Sequence, residues 1–308
     1  MSFGIVASKY RRKGSGQPTT IDGHSLNFRK GNDYYVDASK AGQGDGSSWE
    51  AAFNTMAAAF AKIGSGDTIY VTGKVNEQLT APVQVFDVRI IGISNKPRHA
   101  DSAPAGGNTH TANWSGAGLT AATANLRLLQ QGWIIENILF NMVDSNAAGI
   151  EICRNAGSGD SERDASHTQV RGCKFAGAGV GIRCGVAGVF TEIPNHVRIE
   201  DNIFIDNTFA IRGAIQGQRW SIRDNEFQAN TNHIVCPLGA SFIYRNIFGA
   251  FTTDSIELPG GQGLNIVTMN YLSGTYSSAG GYTVANANDE WAGNFNTLSG
   301  GITVVDPA

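Results

Sequence analysis

From residue 134 onward the chain repeats one pattern: an aliphatic residue, Asn or a substitute three places on, then a large apolar residue two further. The copies read Ile134-Asn137-Leu139, Val170-Cys173-Phe175, Ile199-Asn202-Phe204, Ile222-Asn225-Phe227, Ile243-Asn246-Phe248 and a degraded Ile266-Met269-Tyr271. Successive copies lie 36, 29, 23, 21 and 23 residues apart, converging on a unit near 22, which is short for a helical repeat and suits a coil of strands. A second apolar set, Ile150, Ile182, Ile211, Ile234 and Ile256, follows the opening residues by 16, 12, 12, 12 and 13 positions. The segments holding Val197, Trp220 and Ser241, just ahead of their copies, fit a third, shorter strand. Three strands per turn, each bonded to its equivalent about 4.8 Å away in the next coil, describe a parallel β-helix, roughly eight to ten coils and on the order of 45 Å long.

Upstream the periodicity changes. Tyr34-Tyr35-Val36-Asp37 alternates like a short strand and runs into a glycine-rich turn at Gly42-Gln43-Gly44-Asp45-Gly46. Ser47 or Ser48 then caps a predicted helix over about 48–63, with Trp49, Ala52, Phe53, Met56, Phe60 and Ile63 at helical spacing. Such a helix suits the open end of a solenoid, where it would shield the first coil's interior from water. Strands are predicted at Thr68–Val71, Val88–Gly92 and Leu126–Leu129. The Gly/Ala/Thr/Asn stretch 95–125 reads as an excursion from one coil, the kind of loop in which a solenoid keeps its contacts.

Composition sharpens this picture. With 39 glycines and 16% charged residues in 308, the chain suits tight turns and stacked strands better than surface helices. The net charge is −3, but Lys9, Arg11, Arg12, Lys13, Arg29 and Lys30 against Asp22 give residues 1–32 a charge of +5 and leave −8 for the rest. We therefore expect an extended basic attachment arm at 1–32 and a β-helix, capping helix included, over 33–305. The start of the chain lacks the apolar core of a secretory signal, and no stretch approaches the roughly 18 apolar residues of a membrane span. The expectation is a soluble protein made in a cytoplasm, with no membrane and no nucleic-acid partner. Cys153, Cys173, Cys184 and Cys236 show neither zinc nor disulfide spacing and read as small buried hydrophobes. No metal and no cofactor is expected.

Asn is a poor strand residue, so its recurrence requires a cause. It tolerates the left-handed backbone of a tight bend, and its amide can donate to one coil while accepting from the next. Asn202, Asn225 and Asn246 are thus expected to form an internal ladder, with Asn137 an earlier rung and Cys173 an interruption. On this pattern of aliphatic, Asn and Phe, and on the opening stretch from Tyr34-Tyr35-Val36-Asp37 to Gly66-Asp67-Thr68-Ile69-Tyr70-Val71, the chain resembles right-handed parallel β-helix proteins of the pectate-lyase-like class. It is similar in particular to bacteriophage tailspikes and related virion proteins. That resemblance covers roughly residues 33–305. It implies an all-β, right-handed parallel β-helix and a virion location; its functional content is weak, because the class mixes lyases, hydrolases, epimerases and virion parts.

Aligning the copies places Arg171, Glu200, Arg223 and Tyr244 in one outward column and Gly172, Asp201, Asp224 and Arg245 in the next. The first reads as a salt-bridge ladder. In the second, Asp201 and Asp224 would stand about 5 Å apart beside Arg245, near the carboxyl separation of a retaining glycosidase. They are the candidate catalytic residues should the chain be an enzyme, with Arg223 as a possible lyase base. Stacking alone produces the same juxtaposition, so the structural explanation is preferred. The polygalacturonase-like pattern of paired aspartates and Gly-His-Gly is missing, and the six histidines read as exposed loop residues without a shared column. Three functions compete: a virion structural protein (tailspike, fibre or capsid-decorating component), homotrimeric, attached to other virion proteins through 1–32 and contacting host surface polysaccharide; a polysaccharide depolymerase; and carbohydrate binding without turnover. Trp114, Trp133 and Trp291 are considered as stacking platforms for sugars, with Trp133 assigned to the core.

Overall fold

A computed structural model describes residues 31–93, 112–115, 123–142, 147–153, 165–185, 194–214, 216–249, 251–259, 263–272, 282–283, 288–296 and 303–304. Residues 1–30 of the predicted arm at 1–32, most of the 95–125 stretch and His24, His99 and His110 lie outside them, while Asn32 is already bonded to Asp67 and Thr68. The chain is a right-handed parallel β-helix with three sheets along its length. Each coil contributes a first-sheet strand such as Arg198–Glu200, a second-sheet strand such as Ile203–Ile205, and a third-sheet strand such as Phe209–Gly213. Ladders are parallel from coil to coil, apart from Thr303–Val304, which pairs antiparallel with Phe295–Asn296.

The predicted columns are real, with two changes. Ile150, Ile182, Ile211, Ile234 and Ile256 stack in the third sheet. The strand that completes the coil lies just after the Asn bend, inside the repeat itself. Among the described residues the segments ahead of the copies add a short ladder, Gly217–Gln218 paired with Leu238–Gly239, extended by single bridges from Asn195 to Gln218 and from Gly239 to Gly263. The first and last copies are also shifted by one residue: Ile135 and not Ile134 pairs with Val170, and Val267 and not Ile266 pairs with Ile243. The true copies are Ile135-Ile138-Phe140 and Val267-Asn270-Leu272. A period-2 strand presents an apolar residue to either face when both neighbours are aliphatic, and the doublets Ile134-Ile135 and Ile266-Val267 hide which one points inward.

The interior follows from these registers. Phe140, Phe175, Phe204, Phe227 and Phe248 stack with ring centroids 4.8–5.2 Å apart and planes within 14° of parallel. Beside them the Asn ladder runs longer than expected, through Asn202, Asn225, Asn246, Asn270 and Asn294. Each side-chain amide donates to the oxygen of the next at 2.9–3.0 Å. Cys173 ends it, donating its backbone N–H to Asn202 at 2.9 Å. Asn137 is not a rung. It lies one residue before the ladder column, with φ 54°, and donates to the carbonyl of Gly92. The left-handed residue of the bend is the one preceding the ladder column, which Ile138 and Cys173 occupy in the earlier coils: Asn137, Gly172, Asp201, Asp224, Arg245, Met269 and Gly293 all have φ between 54° and 66°. The Asn supplies hydrogen bonds and its predecessor supplies the turn.

At the N-terminal end the predicted helix shortens to Met56–Phe60, capped by Thr55. Ser48 holds only a turn, accepting from Ala51 N. Phe53 leaves the helical pattern because its backbone bonds to Tyr35 and Asp37, adding a rung to the first sheet. Glu77 accepts from the N–H groups of Met56 and Ala57 at the helix start. Met56, Ala59, Phe60 and Ile63 are buried over the end of the core, as expected of a cap. The 95–125 stretch is not wholly an excursion: Ala112–Trp114 is a second-sheet strand, and Trp114 is fully buried against Phe140 at 5.8 Å. Trp114 and Trp133 are therefore core residues and not sugar platforms. All four cysteines are buried thiols.

Candidate functional site

The outer face of the first sheet concentrates the exposed ionisable groups. From Ile134–Glu136 to Ile266–Thr268 its strands are three residues long and bounded at both edges by left-handed residues, so each of these coils presents four outward positions. One edge carries Gly132, His167, His196, Arg219, Ala240 and Leu264, with φ between 48° and 76°. The opposite edge carries the Asp201 and Asp224 column. Short strands held between tight bends give its charged side chains a rigid support.

Two adjoining grooves lie there. The first, of about 590 Å³, is lined by Glu136, Asn137, Arg171, Gly172, Glu200, Asp201, Arg223 and Asp224. The predicted column Arg171, Glu200, Arg223 and Tyr244 is confirmed by register, with Glu136 preceding it. Glu136 takes ion pairs from Arg89 and Arg171. Burial alone would raise its pKa, but the bonds from both guanidiniums outweigh this and hold the carboxyl below the ordinary range. Glu200 pairs with Arg223, which also reaches Asp224 at 2.9 Å, and Arg245 meets Asp224 at 2.7 Å. Asp201 and Asp224 do occupy equivalent positions of neighbouring coils, and Arg245 is engaged as the stacking requires. Burial would lower the Arg223 pKa, but Glu200, Tyr244 and Asp224 push it above normal, the direction opposed to a proton-abstracting base.

The second groove, of about 560 Å³, is lined by His167, Gln169, His196, Arg198, Arg219, Ser221, Arg223 and Tyr244. Its lining has no carboxylate. Among the described residues neither Arg198 nor Arg219 has an ion pair, and both are exposed. The rings of His167 and His196 stack at 4.8 Å, 4° from parallel. Partial burial, then His167, Arg219 and Arg198, lower the His196 pKa, so the site resists a further positive charge. Sequence reasoning missed this groove by treating the histidines as unrelated. His167 and His196 are separated by the same 29 residues as Val170 and Ile199, and that common offset places them in one column. His233 is the other exception: it is buried, with rings of Phe227 and Phe248 5.5 and 5.6 Å away.

Among the described residues no group of three His, Cys, Asp or Glu side chains is placed to hold a metal ion. No family model matches the sequence, and no curated protein matches it. Solved structures do resemble the chain. Escherichia coli ybhc aligns over 95% of this chain and 84% of its own, at 13% identity and a TM-score of 0.49. Rice weevil pectin methyl esterase aligns over 83% of each, at 13% identity and a TM-score of 0.44. The exopolygalacturonase of Thermotoga maritima covers 78% of this chain and 81% of its own, at 11% identity and a TM-score of 0.39. At such identities the likeness concerns the coiled architecture, and any activity has to be argued from this chain's own residues.

Proposed function

We propose that the outer face of the first sheet binds an acidic polysaccharide. The observation that carries this reading is the carboxylate-free groove in which exposed Arg198 and Arg219 join Arg223 and the His167–His196 stack on one rigid face. A guanidinium recognises carboxylate or sulfate through paired N–H donors, and a row of cations along stacked coils suits a polymer that carries one negative charge per sugar. The stacking of coils provides such a row, with His167, His196 and Arg219 on successive coils. Tyr244 at the groove edge adds a ring on which a sugar face can rest.

Binding is favoured over turnover by the state of the charged groups. Glu136 is held ionised by two arginines, whereas a glycosidase acid needs a raised pKa. Arg223 and Arg245 are held charged by their carboxylate partners. A depolymerase is the second reading, supported by the equivalent positions of Asp201 and Asp224 in a groove beside the cationic one. We also propose a virion location with attachment through residues 1–32, which the basic charge of that segment supports.

Incubation with a polyuronate, a sulfated glycan and neutral dextran separates these readings. Salt-sensitive retention on the two acidic polymers, none on dextran, and no new reducing ends or unsaturated products would agree with binding. Product release abolished by Asp201→Asn with Asp224→Asn would establish the depolymerase instead, and equal retention on dextran would refute recognition by charge.

A further inference from the structure

The cationic groove ends against an apolar step. Along one outward column Gln169, Arg198 and Ser221 are followed by Phe242 and Ile266 on the next two coils, and then by exposed Glu290. Along the neighbouring bend column His167, His196 and Arg219 are followed by Ala240 and Leu264. Both columns therefore change from polar to apolar at the same coil. Phe242, Leu264 and Ile266 are 48, 65 and 36% exposed. Phe242 and Tyr244 point outward from one strand on either side of buried Ile243, so the aromatic edge of the groove and the start of the step share a backbone.

The step is small and bounded. Arg245, ion-paired with Asp224 and lying 5.3 Å from the centre of the Tyr244 ring, separates it from exposed Ile247 on the second sheet. Glu290 closes the far end. Taking about 200 Å² for a fully exposed large side chain, Phe242, Leu264 and Ile266 expose roughly 300 Å². Each partner in a stable protein interface contributes roughly 800 Å². Two coils span about 10 Å, the scale of a sugar ring with its substituent. Because the step adjoins the arginines, a polymer whose anions fill the groove brings its next group onto Phe242. A methyl ester on the carboxylate is excluded there, since it removes the charge that the guanidiniums recognise. The apolar group is then a methyl held apart from the acid, as an O-acetyl ester or as the terminal carbon of a 6-deoxy sugar.

We propose that this face selects an acidic polysaccharide bearing such methyl groups, with the acid on Arg198 and Arg219 and the methyl on Phe242. The inference rests on the reading of the groove as an acidic-polysaccharide site. Burying one methyl group corresponds to about fourfold in affinity. In calorimetric titrations, a polyuronate O-acetylated on its hydroxyls is expected to bind about fourfold more tightly than the unmodified polymer, and mild alkaline removal of the esters to reverse the gain. An ester-free acidic polysaccharide containing 6-deoxy sugars is the second arm, and a gain there assigns the methyl to the sugar. In Phe242→Ser and in Ile266→Ser, each at a side chain that already faces water, the ratio of the two affinities is expected to fall to about one with unchanged far-UV circular dichroism. No gain in the wild type for either methyl-bearing polymer, or a gain that survives in both folded variants, would overturn this selectivity and leave the charged site standing. Binding to none of the polymers would overturn both.

Discussion

The side-chain oxygen of Asn225 accepts two hydrogen bonds from Asn202, one from its backbone N–H and one from its amide, both at 3.0 Å. The Asn225 amide in turn donates to the Ile199 carbonyl and to Asn246. All of these groups are buried, so truncation strands donors and acceptors that water cannot reach. Asn225→Ala is expected to lower unfolding free energy by roughly 2–4 kcal/mol, measured by urea titration. Asn225→Asp should cost at least as much, because it places a charge in the ladder without a counter-ion.

The ladder ends at Cys173, whose thiol lies 3.7 Å from the Ile135 carbonyl, on the acceptor that an amide at this position would reach. Burial pushes that thiol up to about 12, so it stays neutral and contributes only a weak donor. Cys173→Asn should extend the ladder by one rung and raise unfolding free energy by about 1 kcal/mol. A loss of stability in the same titration would show that volume at this rung matters more than hydrogen bonding.

His233 is buried beside Phe227 and Phe248, and its ring bonds to Asn230 and to the Gly249 carbonyl. Burial lowers its pKa to about 4, against about 6.5 in the unfolded chain. Between those values the unfolded state binds the extra proton, so stability is full above pH 6.5 and falls as pH drops toward 4. From pH 7.5 to 5.0 the loss attributable to this group is about 2 kcal/mol. His233→Leu is expected to remove that part of the pH dependence of the urea midpoint.

The groove histidines offer a different titration. Arg198, Arg219 and His167 contribute to lowering the His196 pKa, so a bound polyanion should raise it again. In the NMR titration of the imidazole C–H signals, adding an acidic oligosaccharide is expected to shift the His196 midpoint upward. Affinity should accordingly increase as pH falls through that midpoint. A midpoint that stays in place would mean the ligand's charge lies elsewhere.

What could be read from the sequence follows the physics of stacking. Where one aliphatic residue stands between polar neighbours, as at Ile199 and Ile222, the inward position was unambiguous, and the Phe, Asn and third-sheet Ile columns all emerged correctly. At Ile134-Ile135 and Ile266-Val267 the doublets allowed a one-residue slip, which concealed Asn270 and made Asn137 look like a rung. The helix was overread because Ala52 and Phe53 keep a helical spacing while the backbone of Phe53 is taken by Tyr35 and Asp37. Trp114 reads as a loop residue because its neighbours are small and polar, and its contact with Phe140 identifies it as core. At the site, the Asp201, Asp224 and Arg245 column is legible because it lies inside the repeat, one residue before the Asn column. The His167–His196 column lies three residues ahead of the repeat, where no apolar pattern marks its register.

The most direct test of the proposed function is the affinity of an acidic polysaccharide, measured by titration calorimetry, for the wild-type protein and for Arg198→Ala combined with Arg219→Ala. Both side chains are exposed, so the variant should keep its fold. Loss of two charge-assisted contacts at about 1.5 kcal/mol each corresponds to a weakening of roughly 100-fold, with a shallower salt dependence. Binding that is unchanged in the variant would contradict the assignment of this face as the polysaccharide site.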